Sequence, residues 1–339
     1  MIPYKSIAVF RLSALGDVLM FLPTVRALQR NFPETKITWI ISKPAFDLVR
    51  TIEEIEFIVI DKPNSPTDYW RLKKLFQHRT FDVLIAAQAS FRAHTIIPLI
   101  KARQKIGYDK IRGQELHSWV VNEQIPFRKV HTLEGFMQFA EYLGARDLQV
   151  EWSLTLDCHA KIWVTEKKQE WGVGNKLVLI NPAASKSERS WHAQGYIEVI
   201  KHLQAKLPVT VVLCGGPGKH DRWLADAIMQ EVAVIDLVGK TTLPQLLALI
   251  AAADLLLCPD TGPSHMAAAV NTPVIALHAV TRPEISGPYG QLDKVISKYE
   301  EAKKAFARSK KQQARDWFDK NHHPEVMHLI TAQDVIARL

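Results

Sequence analysis

Short apolar runs alternate along this chain with longer stretches in which apolar residues return every three to four positions. The runs Ser6–Phe10, Lys36–Ile41, Phe57–Ile60 and Val83–Ala87 predict strands in the first half. Lys176–Ile180, Val209–Leu213, Val234–Val238, Leu255–Cys258 and Val274–Leu277 predict strands in the second. Continuous apolar runs suit strands buried on both faces, and the helical segments between most of them supply the crossovers that parallel strands need. The predicted class is α/β, with doubly wound parallel sheets. The cadence pauses between Val150 and Gly174, where a charged helical segment, Lys161–Trp171, ends in Gly-Val-Gly. This places a boundary near residues 155–175 and two domains over 1–158 and 175–325. Domains of this kind facing each other would leave a cleft lined by the carboxyl ends of both sheets, where ligands of open α/β sheets bind.

Length agrees with this division, because 339 residues exceed one ordinary core and fit two domains of about 150 residues each. An apolar content of 47% with 23% charged residues marks a soluble globular chain, and no window approaches the length of a membrane-spanning apolar helix. The segment Met1 to Arg11 already reads as a strand, without the apolar core or cleavage site of a secretion signal. Three widely spaced cysteines, Cys158, Cys214 and Cys258, point to free thiols in a reducing cytosol. His322, His323 and His328 lack ligands at metal spacing, so no metal is expected. The net charge of +8 favours acidic partners: phosphates, nucleic acid or an anionic membrane surface.

Four turns carry candidate chemistry, each directly after a predicted strand. Around Asp260, Thr261 and Gly262 an apolar run gives way to a helix with Pro263 at its first position, where the missing N–H is tolerated, so free backbone N–H groups and the positive dipole end point outward. With Thr261, Ser264 and His265 as further donors, a phosphorylated ligand suits this turn; the plainer alternative is an ordinary capped helix. After the first strand come Arg11, Ser13, Gly16 and Asp17, where Asp17 is either a helix cap or a general base facing the cleft. The turn lacks the Gly-x-Gly-x-x-Gly spacing of a dinucleotide fingerprint, which argues against a nicotinamide-dependent oxidoreductase. The loop from Asn181 to Trp191 offers small residues, the hydroxyls of Ser185 and Ser187, and the cations Lys186 and Arg189, a set suited to a diphosphate. Gly215, Gly216 and Gly218 form the fourth turn, open to close approach of a sugar or base, or an ordinary glycine turn.

These loops together resemble the lipopolysaccharide heptosyltransferases, glycosyltransferase family 9. The resemblance rests on Leu15-Gly16-Asp17, Asn181 through Trp191, Gly215-Gly216-Pro217, the run from Asp260 to His265, and Gly287 to Gly290, in order over nearly the whole chain. The segments Lys105–Asp109, Glu115–His117 and His131–Gly144 look most like the heptosyltransferase I branch. The resemblance implies a GT-B fold of two Rossmann-like domains, an acceptor-binding one first and a donor-binding one second, with segment 326–339 packing back on the first. It implies inverting transfer of heptose from ADP-L-glycero-D-manno-heptose to 3-deoxy-manno-octulosonate (Kdo) on lipid A, with no tightly bound cofactor or metal. A heptosyltransferase II-like enzyme acting on a heptose acceptor is the alternative, and a noncatalytic nucleotide- or glycan-binding protein, which would not need Asp17, is a further one.

By the same resemblance Asp17 is the catalytic base, and Ser185, Arg189, Thr261 and Gly262 hold the diphosphate. Gly216 lies near the nucleoside, Ser264 lines the donor site, and Asp260 and His265 contact the heptose or organise the loop. Relatives commonly carry Lys where this chain has Arg189, and their acidic residue after the glycine turn has no match at Gly218 or Lys219. Arg11, Ser13, Arg71, Lys73, Lys74 and Arg92 are the acceptor-side candidates; for the 69–79 cluster a solvated helix face is the plain reading. A basic stretch from Lys298 to Arg315, including Lys303, Lys304, Arg308, Lys310 and Lys311, could attract an anionic leaflet, although Glu300 and Glu301 favour an exposed helix. The expected setting is the cytoplasmic face of the inner membrane, with peripheral contact and no nucleic-acid partner.

Overall fold

The computed structural model describes residues 4–113, 116–174, 176–206, 208–306 and 317–339, and divides between Thr155 and Leu156 into two compact units. In the first unit six parallel strands are ordered β3-β2-β1-β4-β5-β6. They are β1 (Ser6–Phe10), β2 (Lys36–Ile41), β3 (Ile55–Val59), β4 (Thr80–Ala86), β5 (Lys101–Tyr108) and β6 (Glu123–Ile125). Helices α1 (Leu15–Asn31), α2 (Lys43–Val49), α3 (Pro66–Phe76), α4 (Phe91–Ile96), α5 (His117–Val120) and α6 (Thr132–Tyr142) connect or flank them. β1 is central, and Ile7 to Phe10 are wholly buried. Each large apolar side chain removed from water in this way contributes about 1.5–3 kcal/mol before the entropy of ordering is counted.

The two sides of β1 are covered by different layers. On one, α1 packs along α6, with Phe21 edge-on to Phe136 at 5.3 Å. On the other, Leu72 and Phe76 of α3 and Ala93 and Ile96 of α4 form a core with Ala8, Phe10, Ile40 and Leu84. Ser65 begins α3 as a capping box with Asp68, and Pro66 sits at the first helical position, where its missing N–H costs nothing.

The second unit repeats the winding, in the order β12-β11-β10-β7-β8-β9. Its strands are β7 (Lys176–Ile180), β8 (Val209–Leu213), β9 (Ile235–Asp236), β10 (Leu255–Pro259), β11 (Val274–His278) and β12 (Ile296–Ser297). Its helices are α7 (Cys158–Glu170), α8 (Ala193–Lys206), α9 (Lys219–Met229), α10 (Leu243–Ala251), α11 (Gly262–Ala269), α12 (Pro283–Ser286), α13 (Tyr299–Phe306) and α14 (Ala332–Ile336). Both sheets start at a central strand, wind outward, then return to its other flank. Strand direction of travel therefore reverses between β1 and β4, and again between β7 and β10.

The doubly wound α/β class is as predicted, and the differences have physical causes. β5 escapes the pattern because its first half carries Lys101 and Arg103 on exposed or half-exposed positions. β6 and β12 are too short to leave a period, and β9 contracts to two residues. The terminal segment corrects the expectation of packing on the first domain. Val326, Met327, Ile330 and Val335 lie in the second unit's core, α14 packs on α8, and the Trp191 indole N–H donates to the Ile330 carbonyl at 2.9 Å. Its apolar face is consumed there. Of the basic 298–315 stretch, Lys303 and Lys304 fall on α13, while Arg308, Lys310 and Lys311 lie outside the described residues, as does Glu115.

Candidate functional site

The first cluster forms where the first sheet reverses its winding. The turn after β1 meets the segment after β4: the Leu12 N–H donates to Gln88 Oε1 at 2.7 Å, and Gln88 Nε2 donates to the Ser13 hydroxyl at 3.3 Å. Arg11 lies beneath this turn, buried, with its guanidinium over the Phe136 ring at 5.1 Å and donating to the Ala87 carbonyl. Its other terminal nitrogen pairs with Asp17 Oδ2. Asp17 is the third residue of α1, and the same Oδ2 accepts the Ala14 N–H at 3.2 Å. Asp17 thus reaches back to the helix start without being its N-cap. Both contacts fall on one carboxylate oxygen, Oδ1 carries none among the described residues, and the side chain is 33% exposed.

Beside this turn a cavity of about 1060 Å³ is lined by Ser13, Ala14, Ser42, Asp61, Lys62, Asn64, Asp68, Arg71 and neighbouring apolar residues. Arg71 projects from α3 on the same helix face as Asp68, Leu72 and Leu75. Lys73 and Lys74 do not line this cavity; Lys74 lies over the exposed Trp70 ring at 5.2 Å. Arg92 is exposed in the first turn of α4, behind Ser90, whose hydroxyl accepts the Ala93 N–H.

The second cluster occupies the corresponding reversal of the second sheet, between the loops after β7 and β10. Arg189 Nη1 pairs with Asp260 Oδ2 at 3.1 Å, and Nη2 donates to the Ser185 hydroxyl at 2.7 Å. Its Nε is buried without a hydrogen-bond partner. Asp260 is itself buried and accepts the Thr281 hydroxyl at 2.7 Å on Oδ2. Burial works to raise the Asp260 pKa, but the neighbouring His278 and Arg189 and the Thr281 hydrogen bond outweigh it and bring the carboxyl below its ordinary range. Thr261 is the N-cap of α11 with extended backbone, its hydroxyl making no cap bond, while Ser264 donates to the Thr261 carbonyl at 2.7 Å. Thr261 and Gly262 remain half-exposed at the helix start; Ser264 and His265 are buried behind it.

Sequence reasoning missed Thr281, His278 and Asp221. Thr281 and His278 come from the end of β11 and the turn after it, and together they brace Asp260; the position after an adjacent parallel strand was the available signal. Asp221 supplies the acidic group that Gly218 and Lys219 lack. It is the third residue of α9, its Oδ1 accepts the Gly216 N–H at 2.9 Å, and a Cβ on Gly218 would stand 2.7 Å from its Oδ2. A side chain at Gly218 would push this carboxylate off the turn.

Thr281→Val tests the brace around Asp260. Losing a hydrogen bond to a buried carboxylate is expected to lower unfolding free energy by roughly 1.5–3 kcal/mol at pH 7. Because the folded carboxyl is held below its unfolded pKa, its contribution is present above that value and lost on acidification. The difference between variant and wild type should therefore shrink as pH falls through the carboxylate range, measured by urea unfolding at several pH values.

Comparisons with known proteins bear on the family and the fold. The profile described as "Glycosyltransferase family 9 (heptosyltransferase)" matches residues 69–315. "Lipopolysaccharide core heptosyltransferase OpsX" of Haemophilus influenzae is 35% identical over 340 residues, covering 99% of this chain and 96% of its own. Among solved structures, a glycosyl transferase family 9 protein from Veillonella parvula superposes with a TM-score of 0.82 at 20% identity, covering 98% of this chain and 96% of its own. E. coli heptosyltransferase WaaC with ADP gives 0.72 at 20% identity, covering 98% of both chains. E. coli ADP-heptose lps heptosyltransferase II gives 0.74 at 20%, covering 98% and 97%. These likenesses carry the GT-B fold of two Rossmann-like sheets.

Proposed function

Because the chain belongs to glycosyltransferase family 9, the heptosyltransferase family, we propose that it moves heptose from ADP-L-glycero-D-manno-heptose to a Kdo residue of the lipopolysaccharide inner core. The observation that carries the reading is the Asp17 carboxylate, fixed through Oδ2 by Arg11 and Ala14 and open at Oδ1. In the proposed step Oδ1 takes the proton of an acceptor hydroxyl as its oxygen attacks the heptose anomeric carbon. The bond from that carbon to the ADP oxygen breaks on the opposite face, inverting the centre, and ADP leaves with the electron pair. Arg189, Ser185 and the Thr261–Gly262 start of α11 stabilise the charge that grows on the diphosphate, and Gly216 with Asp221 receives the nucleoside. Asp260 acts through Arg189. Arg11 becomes a positioning residue, held under Asp17, while Ser13 and Arg71 face the acceptor from the cavity and Arg92 from the start of α4.

The relative named as a lipopolysaccharide core heptosyltransferase supports this reading, and the ADP complex of WaaC supports the donor. A heptose acceptor is the second reading, favoured by the likeness to heptosyltransferase II. The test is ADP release and product mass with ADP-heptose and either Kdo-lipid A or its heptosylated product as acceptor. Turnover with neither would sink the proposal, and turnover with the second alone would move it to the heptose acceptor.

Salt supplies a further check on the acceptor contacts. Between about 0.01 M and about 1 M ionic strength the Debye length shortens from about 30 Å to about 3 Å. With a short-chain, water-soluble Kdo acceptor, the half-saturating concentration should rise over this range while ADP affinity changes much less. Arg71→Ser should flatten the acceptor's salt profile, and the pair Lys73→Ser with Lys74→Ser should leave it unchanged. An unchanged profile for Arg71→Ser would remove that residue from the acceptor site.

A further inference from the structure

The face of the first unit formed by α3, α4 and α5 combines exposed aromatic residues with exposed cations. Trp70 is 61% exposed, Phe91 59% and Trp119 82%, the last being the most exposed large hydrophobic residue among those described. One helix layer carries all three. Tyr69 of α3 hydrogen-bonds Thr95 of α4 at 2.8 Å between hydroxyls. His94 of α4 meets His117 of α5 at 3.0 Å, both rings being buried. The Tyr108 N–H donates to His117 Nε2, so the neutral His117 ring carries its proton on Nδ1 and donates to His94. Burial lowers the His117 pKa to about 4, which keeps the His117 ring neutral at ordinary pH.

Leu72 and Phe76 anchor α3 to the sheet, and at 100° per residue Trp70 and Lys74 project from the opposite side. Between Pro66 and Val120 ten Lys or Arg stand against four Asp or Glu, six of the chain's eight net positive charges. Lys73, Lys74, Arg92 and Lys110 are exposed among them. Exposed aromatic rings with apolar bodies, interleaved with cations, match the interface of an anionic bilayer, where rings enter the headgroup level and cations meet lipid phosphates. A single-stranded nucleic acid would meet the same charge and rings, but the lipid-borne acceptor of the proposed reaction favours a bilayer.

We propose that the outer face of α3–α4–α5 docks on an anionic phospholipid surface, with Trp70, Phe91 and Trp119 entering the interface and Lys73 and Lys74 holding lipid phosphates. This deepens the acceptor reading above, since it says how an enzyme without a membrane-crossing helix among its described residues would meet a lipid-borne acceptor. It does not require that the acceptor be Kdo.

The experiment is cosedimentation of the full chain with vesicles of phosphatidylcholine alone or mixed with phosphatidylglycerol, at low and high salt. Wild type should bind the anionic vesicles and retain part of that binding at high salt, because ring insertion is not screened. The triple variant Trp70→Ser, Phe91→Ser, Trp119→Ser should bind at least about tenfold more weakly and lose all binding at high salt. Its turnover on a water-soluble acceptor should match wild type, which also reports that it is folded. Equal binding to neutral vesicles, or no effect of the triple variant, overturns the proposal, and nucleic-acid binding abolished by the same variant reassigns the face. Lost turnover on the soluble acceptor in wild type counts against the transferase reading instead and leaves the vesicle result standing.

Discussion

Asp17→Asn is expected to lower kcat at least about a hundredfold while the protein still folds and still binds ADP. The asparagine oxygen can take over the Ala14 N–H and one Arg11 hydrogen bond, so the start of α1 is kept. What vanishes is the open oxygen, replaced by an amide NH2 that cannot accept a proton. Arg11 loses its counter-charge but keeps the Ala87 carbonyl and the Phe136 ring, so a modest fall in Tm should accompany the kinetic loss. The informative quantities are kcat from steady-state rates and Kd for ADP by calorimetry. Near-normal turnover would leave Asp17 as a helix-start group, the plain alternative its sequence position allows.

Arg189→Ala should weaken ADP and ADP-heptose together by roughly 1.5–3 kcal/mol, about ten- to a hundredfold in Kd. The guanidinium is aimed by two contacts, Asp260 at 3.1 Å and Ser185 at 2.7 Å, and its buried Nε still lacks an acceptor that a phosphate oxygen could provide. Arg189→Lys keeps the charge but not the fork, so its loss should be intermediate. Thr261→Val should act in the same direction more weakly, because the backbone N–H groups at the start of α11 remain. Removing Arg189 also takes a charged partner from the buried Asp260, which keeps the Thr281 hydroxyl, so a Tm decrease must be measured alongside affinity. ADP affinity equal to wild type would exclude Arg189 from the donor site.

Strands largely buried on both faces were legible because their runs are mostly apolar: β1, β2, β7 and β8 fall where the pattern puts them. β5 was not, because one flank of the sheet can carry Lys101 and Arg103 without burying them. The turns at the carboxyl ends of β1, β7, β8 and β10 were legible from residue type alone. Their second partners were not, since nothing in the spacing of Asp260 and Thr281 announces a 2.7 Å contact across two strand ends. Asp221 illustrates the same limit in reverse: a carboxylate sought at Gly218 or Lys219 reaches the turn from the next helix residues. The terminal segment was misplaced because amphipathic pattern shows that a face is buried but not which core receives it.

The repeated winding has a consequence for how this chain could be altered. Relabelled from its own first strand, the sheet β12-β11-β10-β7-β8-β9 has the same order as β3-β2-β1-β4-β5-β6. The turn bearing Asp17 after β1 and the loop bearing Arg189 after β7 are therefore equivalent positions on two copies of one scaffold, as are the helix starts after β4 and β10. In the proposed transfer, one copy mounts a proton acceptor at the shared position and the other a phosphate clamp. On that proposal the chemistry is loop hardware on a repeated winding, and a designer seeking a new donor could rebuild the loops after β7 and β10 while the strands beneath them, and the half bearing Asp17, stay untouched.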